Sequence, residues 1–323
     1  MSSTPPDPAP GAGGTLVFWH PHCSEHDTGS GHPERAARMQ AVLDALGAPE
    51  FRGLQWREAP AASFEQLERV HPAHHVDRLM SRMPAWGQAM LDGDTIVSPG
   101  SFEAALRAAG AVCAAVDAVV AGEAANAFCA IRPPGHHAEP ARAMGFCLFN
   151  NVAVGAEHAR RVHGIERVAI VDFDVHHGNG TQAIFEAVPQ VLYVSTHQYP
   201  LYPGTGHAEE TGVAANVLNV PLRAGSGGEA LRRAWNEEIL PALRRHEPGL
   251  LLVSAGFDAH RDDPLAELAF TEADYQWLAA QLAAFAAECC GGRLVSVLEG
   301  GYELSALASS CAAHVRALMA AGG

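Results

Sequence analysis

Seven short apolar runs, each followed by a stretch of helical spacing or a polar loop, constrain this chain more than anything else in it. They are Thr15–Trp19, Ala127–Ile131, Val168–Val171, Val191–Thr196, Val217–Val220, Leu250–Ser254 and Leu294–Leu298. Most carry β-branched or leucine side chains at successive positions, with no apolar–polar alternation. Strands covered on both faces read in this way. Elsewhere Met39, Val42, Leu43 and Leu46 keep helical spacing, as do Leu106, Ala109, Cys113 and Val116. Tyr275, Leu278, Leu282 and Phe285 do the same, and so do Leu304, Leu307, Cys311, Val315 and Leu318. This rhythm predicts an α/β chain built as three layers, α/β/α, around a single mostly parallel sheet. With no internal repeat and no linker after residue 15, one domain over 15–323 is expected. The Pro/Gly-rich stretch 1–14 is expected to be a disordered tail.

Composition narrows the function classes. Hydrophobic residues make up 48% and charged residues 18%, enough for a large buried core. A net charge of −15 argues against a nucleic-acid-binding surface, which needs clustered positive charge, and is compatible with attracting cationic substrates. The N-terminal segment has neither the basic start nor the apolar run of a signal peptide. No apolar stretch approaches the ~18 residues of a membrane span. Seven cysteines, an odd number without a CxxC pair, read as free thiols in a reducing cytosol, so a cytoplasmic protein is expected. All 21 basic residues are arginine, which with the abundance of alanine suggests a bacterial gene rich in G and C.

Long polar loops follow several strands: 132–145, 172–180, 197–211, 255–265 and 299–302. Ligand sites of open α/β sheets collect at the carboxyl ends of strands, so these loops should share one rim. In Val171-Asp-Phe-Asp-Val-His-His-Gly-Asn-Gly180, an extended backbone puts Asp172, Asp174 and His176 on one face. A carboxylate and an imidazole two residues apart can bind one metal ion, and Asp172 can orient a neighbour. For a lone aspartate or histidine, a solvated turn is the better account; three in register at a strand end shift the balance. Asp258 is the carboxylate nearest the end of another buried strand and completes an Asp–His–Asp set with open coordination positions. Zinc is the default ion for such a set, with iron(II) and cobalt compatible. Two carboxylate ligands largely cancel the ion's charge, so a separate base should help. Arg132-Pro-Pro-Gly-His-His137 delivers His136 and His137 to the rim as candidates. Glu299-Gly-Gly-Tyr302 ends the last strand, where Tyr302 could donate to a developing oxyanion.

Taken together, the chain resembles the zinc-dependent histone deacetylase superfamily, most of all its class II-like bacterial deacetylase-like amidohydrolases. The resemblance rests on HDTGSGHPER, RPPGHHA, MGFCLFNN, VDFDVHHGNGTQ, YPGTG, GFDAHRDDPL and EGGY, which occur in that order along nearly the whole chain. It implies the arginase/deacetylase fold and hydrolysis of an acyl amide on lysine or a related amine. It also implies that Asp174, His176 and Asp258 hold one catalytic zinc. His137 would be the main general base and acid, with His136 as its partner and Asp172 behind it. Asn179 stands where class I relatives carry aspartate, and Tyr302 would polarise the acyl carbonyl. Substrate binding would fall to Asp94 at the rim, to Phe146 and Tyr202 as tunnel walls, and to Gly145, Leu265 and Gly300. Arg35 would line the channel through which acetate leaves. A structural potassium ion is implied at Asp172, Asp174, His176, Ser195 and Thr196. The expected partner is an acyl-lysine protein or peptide, or an acylated small amine, with neither nucleic acid nor membrane; a homo-oligomer is possible. Competing readings are an acetylpolyamine amidohydrolase, a two-metal hydrolase of the arginase kind, and a non-catalytic acyl-lysine binder. Tyr202, where many relatives have phenylalanine, leaves acyl and stem range open, and Leu265 favours acyl-lysine over polyamine.

Overall fold

Each of the seven apolar runs becomes a strand of one sheet. The structure, a computed structural model, describes residues 13–323. In chain order the strands are β1 (Thr15–Trp19), β2 (Gln55–Glu58), β3 (Ala89–Met90), β4 (Ile96–Val97), β5 (Asn126–Cys129), β6 (Val168–Asp172), β7 (Val191–Gln198), β8 (Val217–Leu222), β9 (Leu250–Ala255) and β10 (Leu294–Leu298). Eight of them form one sheet in the order β2-β1-β5-β10-β9-β6-β7-β8, and every pairing in it is parallel. β3 and β4 make a separate antiparallel pair.

The helices are α1 (Ala36–Leu46), α2 (Phe64–Glu68), α3 (Ala73–Arg82), α4 (Ser101–Val120), α5 (Asn151–Val162), α6 (Asn179–Phe185), α7 (Gly228–Ala234), α8 (Leu240–His246), α9 (Glu272–Cys289) and α10 (Leu304–Ala321). α4 and α5 pack together and against β1, β5, β6, β9 and β10, while α1, α9 and α10 form another packed group that meets β5 and β9. The inner strands β5, β6, β7, β9 and β10 are buried at every position, as their unbroken apolar runs require. The three-layer α/β/α architecture expected from the sequence is the one found.

Three details differ from expectation. β2 carries Gln-Trp-Arg-Glu, all exposed, and is an edge strand with no apolar run to announce it. α10 is long and apolar enough to cross a membrane by length and composition, which the reading of the sequence did not anticipate. It lies instead against α9 and α1, with its apolar stripe in the core. Of the expected tail, residues 1–12 fall outside the described residues. Gly14 donates its N–H to Gly322 O (2.8 Å) and accepts from Ala125 N (3.1 Å).

The strand order reverses beside β6. The chain runs from β6 outward through β7 to β8, then returns to lay β9 on the other side of β6 and β10 beyond it. Such a switch point leaves a crevice at the carboxyl ends of the two strands, because their loops depart in opposite directions.

Candidate active site and metal centre

The crevice between β6 and β9 holds the candidate ligands. Asp172 and Ser254 are register partners at the ends of these strands, so the loops that follow begin side by side. Asp174, His176 and Asp258 are buried, and one ligand atom from each lies within 4.8 Å of the other two. His176 Nδ1 is 3.1 Å from Asp174 Oδ1 and 3.2 Å from Asp258 Oδ2. Backbone donors fix the carboxylates: Val175 N–H bonds Asp258 Oδ1 (2.9 Å) and Gly300 N–H bonds Asp174 Oδ2 (2.8 Å). Asp258 Oδ2 is buried with no hydrogen-bond partner. A buried carboxylate oxygen without a hydrogen bond costs free energy that a cation would recover. Two carboxylates and an imidazole around such an orphan fit a divalent ion of the zinc class. Gly300 is needed for this approach, since a Cβ there would stand 2.1 Å from Asp258 Oδ2 and 2.6 Å from Asp174 Oδ2.

Neighbouring strands bring the other groups. β5 leads into the loop with His136 and His137, whose rings lie 4.0 Å apart. Glu299, at the end of β10, accepts from the N–H groups of Gly135 (2.6 Å) and His136 (3.2 Å) and from Ser254 Oγ (3.0 Å), which locks this loop onto the sheet. His136 Nδ1 meets Asp172 Oδ2 at 3.0 Å, and Asp172 also accepts from the Tyr193 hydroxyl (3.0 Å). His137 Nδ1 meets Asn179 Oδ1 at 2.8 Å, and Asn179 Nδ2 donates to Glu139 Oε1 (2.9 Å). Glu139 orients the amide, so Asn179 presents its oxygen to His137. The ring nitrogen there must then carry the proton, leaving Nε2 as a free base.

The two histidines are pushed apart in basicity. Burial opposes charge on His136, but Asp172 and Asp174, with Glu299 farther off, outweigh it and raise its pKa well above the ordinary histidine value. His137 lies well below that value because of burial, reinforced by His136 and His176. Tyr302 is raised well above the usual phenol value, first by burial and then by Asp258, so it keeps its proton.

A cavity of about 250 Å³ opens onto these groups, lined by Asp94, His137, Gly145, Phe146, His176, Leu201, Tyr202, Leu265 and Tyr302. Phe146 and Tyr202 flank it: Phe146 packs edge-on to Tyr302 (5.9 Å) and His32 (4.7 Å), and Tyr202 edge-on to His137 (5.2 Å). Phe146 has φ +69°, a left-handed backbone that costs a non-glycine residue about 1 kcal/mol or more. Its N–H donates to Thr95 Oγ1 (3.2 Å), and that hydroxyl donates to Asp94 Oδ1 (3.2 Å). Burial, then Asp92, raises the Asp94 carboxyl. Gly145 lets the loop pass His137, whose ring carbon would be 2.6 Å from a Cβ. Ser195 is the register partner of Asp172; its hydroxyl pairs with His197 Nδ1 (2.9 Å), while the buried Thr196 hydroxyl has no partner.

One placement corrects the sequence reading. Arg35 is exposed at the start of α1, outside the residues that line the cavity. Arg38, one turn along, is fully buried instead. Its guanidinium sits 5.0 Å from the Tyr302 ring and donates to Gly301 O, to Glu299 O and to Glu34 (3.0 Å). Glu34, just before the N-cap of α1, pairs with Arg38 four residues on, a spacing visible in the sequence. Asp263 carries no signal in the sequence that would mark it for the site. It accepts from Tyr302 N (2.7 Å), Glu303 N (3.3 Å) and Leu265 N (3.0 Å), tying one wall to the tyrosine loop. Glu139 and Leu201 were likewise unmarked.

Comparison with known proteins agrees with this geometry. The histone deacetylase domain family matches residues 32–318. Histone deacetylase 14, chloroplastic, of Arabidopsis thaliana is 44% identical, covering 89% of this chain and 73% of its own length. A histone deacetylase-like amidohydrolase of Pseudomonas aeruginosa is also 44% identical, with 89% and 80% covered. Among solved structures, the crystal structure of the HDA15 HD domain superposes with a TM-score of 0.91 at 35% identity, covering 96% of this chain and 89% of that one.

Proposed function

The chain belongs to the histone deacetylase family and is a deacetylating hydrolase, and we propose that its substrates are acyl groups, acetyl foremost, on lysine side chains or related amines. The observation that carries this is the convergence of Asp174, His176 and Asp258 with His137 and Tyr302 around one narrow cavity. Those three ligands would hold zinc, which when bound supplies polarisation of the acyl carbonyl and a more acidic water. A monovalent cation, potassium in this proposal, is supported by the orphaned Thr196 hydroxyl, one residue beyond the register partner of Asp172.

The chain's own groups divide the remaining work. His137 Nε2, neutral and aimed by Asn179, takes a proton from the attacking water and returns it to the departing amine. His136, kept cationic by Asp172 and Asp174, contributes positive charge beside it. The Tyr302 hydroxyl donates to the carbonyl oxygen as negative charge gathers there. Phe146 and Tyr202 sheathe the alkyl stem and exclude water, and Asp94 receives the substrate backbone at the mouth.

An acetylpolyamine amidohydrolase is the second reading, favoured by Asp94, a carboxylate at the mouth that suits a distal ammonium. Leu265 lines the same cavity and offers such a charge nothing. Zinc-loaded protein should therefore turn over acetyl-lysine peptides with the higher kcat/KM, N-acetylputrescine with the lower. The reverse order would reassign the substrate, and no turnover on either would leave an acyl-lysine binder.

A further inference from the structure

Away from the crevice, one other group of metal-ligating side chains converges among the described residues. Asp117, near the end of α4, faces His158 on α5 and His163, the residue that caps α5. His158 Nε2 is 2.7 Å from Asp117 Oδ1, and His163 Nε2 is 2.6 Å from the same oxygen. The two rings meet edge to face, 5.6 Å between centroids. His158 is buried, while the side chains of His163 and Asp117 are 22% and 52% exposed, so one flank of the cluster opens to solvent.

We propose that Asp117, His158 and His163 form a second metal site, for an ion of the zinc class, which pins α4 to α5. Two imidazole nitrogens and a carboxylate oxygen, already converged, supply three of the four ligands such an ion takes, and water can supply the last. The carboxylate oxygen that now accepts from both rings is the atom an ion would replace as their common partner.

A neighbour sets the affinity. Arg69 donates from one amino group to His158 Nδ1 (3.0 Å) and from the other to Glu65 (3.0 Å). Arginine can only donate, so His158 holds its proton on Nε2, facing Asp117. Metal binding needs that proton moved to Nδ1, and Arg69 must then swing fully to Glu65. The cluster is thus a site with a built-in competitor, weaker than its geometry alone would make it. Its place in the fold gives it consequence. The first turn of α5 supports the catalytic loop, with Asn150 Nδ2 donating to His136 O (3.4 Å) and Asn151 Nδ2 to Pro133 O (3.1 Å). An ion at the far end of α5 would steady the same helix.

Equilibrium dialysis of the full chain against buffered Zn²⁺, read by elemental analysis, tests this. Wild type should carry one ion more than His163→Ala and Asp117→Asn, whatever the loading of the crevice. Losing one ligand should weaken the second site at least about tenfold. Deacetylation by the His163→Ala protein should be unchanged. Arg69→Ala should bind the second ion several-fold more tightly, an effect that a merely hydrogen-bonded cluster would not show. Equal zinc content in wild type and His163→Ala at every free-zinc level, or no gain in Arg69→Ala, would overturn the site.

Discussion

Tyr302 is held from two sides, by the Arg38 guanidinium near its ring and the Asp263 carboxylate on its amide. Removing only its hydroxyl leaves both restraints in place. Tyr302→Phe should therefore keep its fold and metal content while kcat on an acetyl-lysine peptide falls at least about tenfold. Near-normal turnover would remove the hydroxyl from the chemistry. Gly300→Ala should behave in the opposite way, because the new methyl would collide with both Asp258 and Asp174. Metal content itself should be lost, which elemental analysis reads directly. At this scale the sequence was most informative where a buried strand ends in a short polar motif, since the strand fixes which way Asp174 and His176 start out. It was least informative for Arg38, which sits within the helical stripe of α1. A charged residue at a core position is invisible to apolar spacing unless its partner Glu34 is considered with it.

The helix α1 shows what that pairing does for an element. Arg38 joins α1 to the end of β10 through Gly301 O and Glu299 O, while Glu34 joins it to Arg132 beyond β5. Arg38→Met removes one half of a buried ion pair and should cost about 3–5 kcal/mol in chemical denaturation. Arg35→Ala, three residues earlier and exposed, should stay within about 0.5 kcal/mol of wild type. Equal effects would mean that the buried network does not hold α1. The strands that were legible are those with unbroken apolar runs. β2 was not, because an edge strand with all four residues exposed needs no apolar pattern, and β3 and β4 have only two residues each.

For the molecule as a whole, the buried cluster of Glu34 with Arg38, Arg132 and His26 predicts how stability follows pH. Burial opposes charge on Glu34, but Arg132 above all, with His26 and Arg38, outweighs it and lowers its carboxyl to about 2 from an ordinary value of 4.5. A depressed carboxyl stabilises the folded state fully above its unfolded pKa and progressively less as pH falls toward the folded one. Between about pH 4.5 and 2 this group should cost on the order of 3 kcal/mol, seen as a falling urea midpoint. Glu34→Gln, less stable at neutral pH, should flatten that slope. The sheet order has a different consequence, one of timing. β9 lies between β6 and β10, yet it is made after β8, so Asp258 reaches Asp174 and His176 only once most of the chain exists. The three-ligand set is therefore complete only late in the chain's assembly. Maturation should thus be a loading step separable from folding: chelator-stripped protein should keep its circular dichroism spectrum and recover turnover on adding zinc, with no passage through denaturant.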